Sequence, residues 1–383
     1  MTIDYNLLEV RIHTARIRQN YDLLQAIGGS AVPVVKSDAY GHGLLRVAKA
    51  LVDPIAECEA NAESLAVGAV SEAVTLRENG CTCSIFCLLG PVNIGDEELV
   101  VRHGLFPLVY SWDQLHRLDE AANKLSIPAR VVIKFDTGMG RLGFGVDEAA
   151  KVVEILAGLS GVEPVMVASH LATADDPAER EYVLDQAARF DQAASVLRQA
   201  YPGLAGSLAN SAGLLGYPEL RHEGQRPGIA MYGANPFYGT SLERLGRDLQ
   251  PAMDVTAPIL QVHGLAQGES VSYGRIFAAS RDMRVAVVAA GYADAYSRHL
   301  SSTDGLGAQM LVKGERAPVI GRVCMQMTAI DVTHIPGVEP GERAFLLGGE
   351  GDNAVRPEEL AQWWGTIPYE VFCLLGQNPK SPI

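Results

Sequence analysis

The chain reads as an α/β protein: an N-terminal (β/α)8 barrel over residues 6–240, then a mainly β C-terminal domain over residues 241–383. Two textures predict this. From about residue 30 to about residue 240, short β-rich runs alternate with longer Ala/Leu/Glu/Arg-rich stretches; beyond about residue 245, short apolar runs are separated by Gly, Pro or Asp turns. A third observation favours a barrel over a doubly wound open sheet. Residue types suited to chemistry fall just past the C-terminal ends of several different runs, where a barrel gathers its functional loops.

Taken in order, the expected barrel strands are 32–36, 65–70, 84–89, 105–110, 129–135, 164–170 and 206–210, with an eighth near 220–226 that is unusually polar. The stretches between them have helical periodicity, as in 178–200, where apolar residues recur three and four apart. The expected strands of the second domain are 259–265, 285–290, 310–312, 319–323, 329–332 and 344–347. A helix follows, with Pro357 near its start and Trp363-Trp364 on its apolar face. The segment before Arg11 is compatible with pairing to either domain.

Composition narrows the function classes. With 48% hydrophobic and 20% charged residues, the 383-residue chain is long enough for two cores. A net charge of −14 repels phosphate backbones and anionic lipids, which argues against nucleic-acid and membrane partners. No apolar run approaches the roughly 20 residues that span a bilayer. Asp4, Glu9 and Arg11 interrupt the N-terminus, unlike a signal peptide, so a cytoplasmic location is expected. Six cysteines (Cys58, Cys81, Cys83, Cys87, Cys324, Cys373) do not form a disulfide framework in a chain of this size. The spacing of Cys81, Cys83 and Cys87 is not that of a zinc knuckle and leads into an apolar strand, so no metal is expected.

The most informative segment is Pro33-Val34-Val35-Lys36-Ser37-Asp38-Ala39-Tyr40-Gly41-His42-Gly43. An apolar run delivers Lys36 to a strand end, and a glycine-rich turn then lets backbone approach a ligand. A lysine that loses hydration there becomes a competent amine nucleophile, whereas an ordinary strand-end lysine snorkels to water. The segment resembles the pyridoxal-phosphate lysine motif of alanine racemases. The resemblance extends over nearly the whole chain, and it implies pyridoxal 5′-phosphate as cofactor and an amino acid as small-molecule substrate.

Residue by residue, the resemblance implies the following roles. Lys36 holds the cofactor. Tyr40, Ser211 (in Asn210-Ser211-Ala212-Gly213), Gly228 and Ile229 (after Arg226-Pro227) and Tyr369 (in Pro368-Tyr369-Glu370-Val371) bind its phosphate. Arg226 faces the pyridine nitrogen; being always charged, it donates to that nitrogen without protonating it, which weakens the ring as an electron sink and favours simple proton exchange. Racemisation needs proton transfer on both faces of Cα, and Lys36 and Tyr273 (in Val271-Ser272-Tyr273-Gly274-Arg275) are the two bases implied. His170, at the end of the sixth strand, assists Tyr273 and contacts Arg226. Arg141, in the segment 133–141, binds the substrate carboxylate, and Lys134 matches a lysine that family members often carry carboxylated. The family places Tyr273 and the Cys324-Met325 loop in the partner's barrel, which implies a homodimer with shared sites, with Met325 at the substrate and Tyr292 lining the entry channel.

Two positions depart from the family pattern. Gln326 stands where most relatives carry aspartate, which removes a negative charge beside the substrate-carboxylate region. Asp294-Ala295-Tyr296-Ser297-Arg298 lacks the usual glycine and proline, a difference that concerns the shape of the entry loop. The expected activity is interconversion of L- and D-alanine, supplying D-alanine for peptidoglycan precursors. A serine or broader amino-acid racemase is the nearest alternative, and a decarboxylase of the same fold type a more distant one. Decarboxylases of that type pair the pyridine nitrogen with a carboxylate, against which Arg226 speaks. A cofactor-carrier protein built on a single barrel would not need the roughly 140 residues that follow the barrel.

Overall fold

The computed structural model describes residues 7–52 and 62–381; Asp4, Cys58 and the first residue of the expected barrel lie outside them. Among the described residues there are two compact units, one of residues 14–39 and 43–250 and the other of residues 7–13, 40–42 and 251–381.

The first unit is built on parallel strands Ser64–Val67, Ser84–Cys87, Phe106–Val109, Ala129–Asp136, Val162–Ala168 and Ala205–Ser207, paired in that order. Both faces of these strands are covered, so the apolar residues run continuously rather than alternating: Val131, Val132 and Ile133 are all fully buried. Each such side chain contributes about 1.5–3 kcal/mol by leaving water. Two strand positions are reduced to bridges. At the first, Val32 N donates to Gln225 O at 2.7 Å, Val35 N donates to Ala66 O at 2.7 Å, and Pro33, between them, has no N–H to give. At the eighth, the expected strand 220–226 is replaced by a 3-10 turn, Pro218–Leu220, and by single hydrogen bonds from Gly224 N to Gly206 O (3.1 Å) and Gln225 N to Ser30 O (2.8 Å). These bonds close the ring between its last and first positions.

Helices cover the outside for legible reasons. The segment 178–200 forms the helix Arg180–Ala200, entered through a 3-10 turn in which Asp176 accepts from Ala178 N, and it buries Val183, Ala187, Phe190, Ala194 and Leu197 three and four apart. Ser111 caps Trp112–Leu125 by accepting from Gln114 N at 3.3 Å.

The second unit is an antiparallel sheet in the order Glu9–Ile12, Met253–Leu265, Met283–Val288, Thr328–Asp331, Glu315–Ile320, Gln309–Val312 and Arg343–Leu347, the last pairing back to Met253–Leu265. The N-terminal strand therefore belongs here, with Val10 opposite Val255 and Ile12 opposite Met253. Strand Met253–Leu265 is longer than expected because its first half is buried between two neighbours. Lys313-Gly314, both at positive φ (52° and 80°), make the two-residue hairpin turn between Gln309–Val312 and Glu315–Ile320. Helix Pro357–Trp364 forms with its proline in the first turn, but it buries Pro357, Glu358, Leu360 and Ala361. Trp363 and Trp364 are only half-buried, with the Arg316 guanidinium 5.8 Å from the Trp363 ring.

Candidate active site

Lys36 follows the first strand position directly, and the chain then turns sharply. Ser37, Asp38, Ala39 and Tyr40 all have φ of 53–54°, a left-handed turn made without glycine, which costs roughly 1–2 kcal/mol per residue. Polar groups hold it. The Glu72 carboxylate accepts from Ser37 N (2.7 Å) and Asp38 N (3.4 Å) with one oxygen, and from Gly68 N (2.8 Å) and Ala69 N (3.1 Å) with the other. Asp38 Oδ1 then caps the next helix by accepting from Leu44 N at 2.7 Å. Lys36 is thus fixed at the base of its side chain, at the C-terminal rim of the barrel.

Four more sequence-selected side chains reach that rim from other strands. Arg226 is 9% exposed, and its guanidinium donates to Ser207 Oγ and to the carbonyls of Ser169 and Leu208. All three acceptors are neutral, and burial pulls its pKa down to about 10, which still leaves it charged at neutral pH. Lys134, 7% exposed on the fifth strand, is pulled down to about 7 by burial first, then by the positive charge of Arg226, with Arg141 adding to it. Asp136 organises the loop that carries Arg141: burial would raise its pKa, but N–H groups of Gly138 (2.9 Å), Gly140 (3.1 Å) and Arg141 (3.0 Å) outweigh that and hold it low. His170 lies well below the usual imidazole range, through burial and then the positive charges of Arg226, Lys134, Arg141 and Lys36. The Gln186 side chain steadies the loop after His170 by accepting from Ala172 N (2.9 Å) and donating to His170 O (3.2 Å).

A second group of donors converges after the seventh and eighth positions. Asn210 accepts from Gly213 N at 2.9 Å and so starts the short helix Ser211–Gly216. Ser211 Oγ accepts from Gly228 N (2.9 Å) and Ala230 N (3.3 Å), at the start of the 3-10 turn Ile229–Tyr232. The barrel rim therefore presents one amine, three further cationic groups and a hydroxyl-amide cradle, with Asp136 already committed to its own loop. This donor set fits a ligand that carries a phosphate and a carboxylate.

The remaining selected residues lie in the second unit. Tyr40 packs its ring 5.8 Å from that of Tyr369, and burial first, then Tyr369, raises its pKa well above the phenolic value. Gly41 (φ 78°) leaves no room for a side chain: a Cβ there would lie 2.4 Å from Phe372 O. Tyr273 is 72% exposed, on a turn framed by Ser272 (φ 67°) and Gly274 (φ 74°), with Ser272 Oγ donating to Arg322 O at 2.6 Å. The Cys324-Met325 loop is bonded to the Tyr292 segment, Tyr292 N donating to Cys324 O (3.0 Å) and Ala293 N to Met325 O (2.9 Å). Tyr292, Met325 and Gln326 are exposed on this face. The sequence reading missed Glu72, Asp136, Ser169, Gln186 and Ser207. Only Asp136, which precedes two closely spaced glycines, carried a local signal.

Comparison with known proteins decides the family. The alanine racemase N-terminal domain model matches residues 12–236, and the C-terminal domain model matches residues 252–382. The chain belongs to the alanine racemase family. An alanine racemase of Nitratidesulfovibrio vulgaris (strain Miyazaki F) is 50% identical over 382 residues, covering 100% of this chain and 99% of that protein. One from Lawsonia intracellularis is 38% identical, covering 96% and 95%. Among solved structures, the alanine racemase of D-cycloserine-producing Streptomyces lavendulae superposes with a TM-score of 0.86 at 30% identity, covering 99% of this chain and 97% of that one. That of Bartonella henselae, described with covalently bound pyridoxal phosphate, superposes with a TM-score of 0.84 at 26% identity, covering 99% and 100%.

Proposed function

We propose that the rim residues carry out the reaction of the family, the interconversion of L- and D-alanine, with pyridoxal 5′-phosphate as cofactor. One observation carries this reading. Lys36, Lys134, Arg141, His170 and Arg226 come from four separated stretches of sequence, yet all stand at the C-terminal ends of strand positions of the same barrel.

Pyridoxal phosphate, when bound, supplies a carbonyl that condenses with amines and a ring that accepts the electron pair left at Cα. The chain's own residues do the rest. Lys36 would hold the cofactor and would move a proton at one face of Cα. Tyr273 moves the proton at the other face, with His170 kept neutral so that it can accept a proton from the tyrosine. Arg226 donates to the ring nitrogen while remaining charged, which limits the charge the ring can draw and disfavours transamination or decarboxylation. Ser211, Gly228 and Ile229, with Tyr40 and Tyr369, bind the phosphate. Arg141 orients the substrate carboxylate. Lys134, with much of its population neutral near pH 7, is primed to take up CO₂ as an anionic carbamate that pairs with Arg141.

The reading extends to assembly and location: a homodimer in which Tyr273, Met325 and Tyr292 serve the partner's barrel, working in the cytoplasm, where peptidoglycan precursors that consume D-alanine are made. Its test is turnover of L-alanine, L-serine and L-lysine by the cofactor-loaded protein, read by chiral chromatography. Rapid D-alanine formation supports it, and preference for serine or lysine moves the substrate. CO₂ release, or bound cofactor with no turnover, overturns it. Lys36→Ala and Tyr273→Phe should each lower the alanine rate by about 10²–10⁴-fold.

A further inference from the structure

This chemistry leaves one pair of reactive side chains unused. Cys81 and Cys83 lie in the turn that leads into barrel strand Ser84–Cys87, at the end of the strands opposite the rim that carries Lys36. Side chains two apart along an extended segment point the same way, and here the two sulfurs lie 3.4 Å from each other. Arg77 clamps the turn in this shape: Nη1 donates to the carbonyls of Cys81 and Cys83, both at 2.7 Å, and Nε to His103 O at 3.1 Å.

The surroundings suit thiol chemistry. Cys83 is partly buried, and Cys81, itself buried, forms part of the wall of a surface cleft with Leu45, Lys49, Leu76 and Asn79. The contact with Cys83 pulls the Cys81 thiol down to about 6 against its burial, with Arg77 adding a smaller pull, while the same contact and then burial push Cys83 up. The two sulfurs are close enough to share a single proton. Cys87, further along the strand, is pushed up to about 12 by burial and is inert by comparison. Among the described residues, no group of three or more His, Cys, Asp or Glu side chains is placed to hold a metal ion.

We propose that Cys81 and Cys83 form a redox dithiol that closes to an intramolecular disulfide on meeting a hydroperoxide. The Cys81 thiolate attacks one peroxide oxygen and the O–O bond breaks. The sulfur becomes a sulfenic acid, and the other oxygen leaves with a proton as water or an alcohol. The Cys83 sulfur then displaces the hydroxyl group from Cys81, and that group leaves as water with the Cys83 proton. The pair has lost two electrons and the peroxide has gained them. The sulfurs must close from 3.4 Å to about 2.05 Å, and a dithiol reductant reverses the step by exchange.

The test is made on reduced, cofactor-loaded protein. It is treated with hydrogen peroxide, its remaining thiols are alkylated after denaturation, and its peptides are mapped by mass spectrometry. The expected result is a peptide holding Cys81 and Cys83 unalkylated and lighter by two hydrogens, restored by dithiothreitol and unaffected by Cys58→Ser. In Cys83→Ser, dimedone should trap a sulfenic acid on Cys81. If both cysteines are alkylated as fully as in untreated protein, if Cys81 pairs with another cysteine, or if only sulfinic acid accumulates in the wild type, the proposal fails.

Discussion

Ala295, in the segment 294–298 that departs from the family pattern, takes a left-handed backbone conformation (φ 63°, ψ 15°). The loop keeps its shape because Gly291 N donates to Asp294 Oδ2 at 2.9 Å and Tyr296 N to Gly291 O at 3.0 Å. The alanine therefore bears the strain of the left-handed conformation. Ala295→Gly should stabilise the protein by about 0.5–1 kcal/mol, less than the full relief because glycine is freer when unfolded; urea unfolding would measure it. Lys134 makes a second residue-scale prediction. Its folded pKa of about 7 lies below its ordinary value, so from pH about 10 down to about 7 the unfolded chain binds a proton that the folded one does not. Stability should then fall as pH is lowered through that window, by an amount on the order of 2 kcal/mol between pH 9 and pH 7 in CO₂-depleted protein. Lys134→Met should remove most of that slope. An unchanged slope in the variant would show that Lys134 is not the group responsible.

At the scale of elements, the left-handed turn after Lys36 depends on one carboxylate from a neighbouring helix. Glu72 serves four backbone N–H groups across two segments, and nothing in the lysine motif announces it. Glu72→Ala should cost about 2–3 kcal/mol by leaving these donors without a protein acceptor, and should speed loss of cofactor on dialysis. Glu72→Gln, which keeps one good acceptor oxygen, should recover part of both. The same dependence explains where element boundaries departed from expectation. Apolar runs marked six of the eight strand positions because their burial is local in sequence. The eighth was read as a strand over 220–226 but is held by single bonds to residues far away in the chain, with Pro218 and Pro227 breaking any ladder.

For the whole molecule, the decisive question is how sites are completed. The proposed bases Lys36 and Tyr273 lie in different compact units, and Tyr273, Tyr292 and Met325 are exposed on theirs. In the proposed dimer each site takes its lysine from one chain and its tyrosine from the other. Two inactive variants, Lys36→Ala and Tyr273→Phe, mixed and allowed to exchange subunits, should regain about a quarter of wild-type activity, since half the dimers are mixed and each of these has one intact site. No recovery, with subunit exchange demonstrated, would place both bases in one chain.

The sequence by itself determined the fold class, the order of the two domains and the identity of most rim residues. Period and composition encode burial locally, and a motif such as Asn210-Ser211 carries its own turn chemistry. Only the tertiary structure decided that Glu9–Ile12 joins the second unit's sheet, that Lys134 sits near neutrality, that Glu72 and Gln186 brace the rim loops, and that Cys81 and Cys83 bring their sulfurs together. Pairing, desolvation and charge depend on which distant residues arrive alongside, and no local pattern records that.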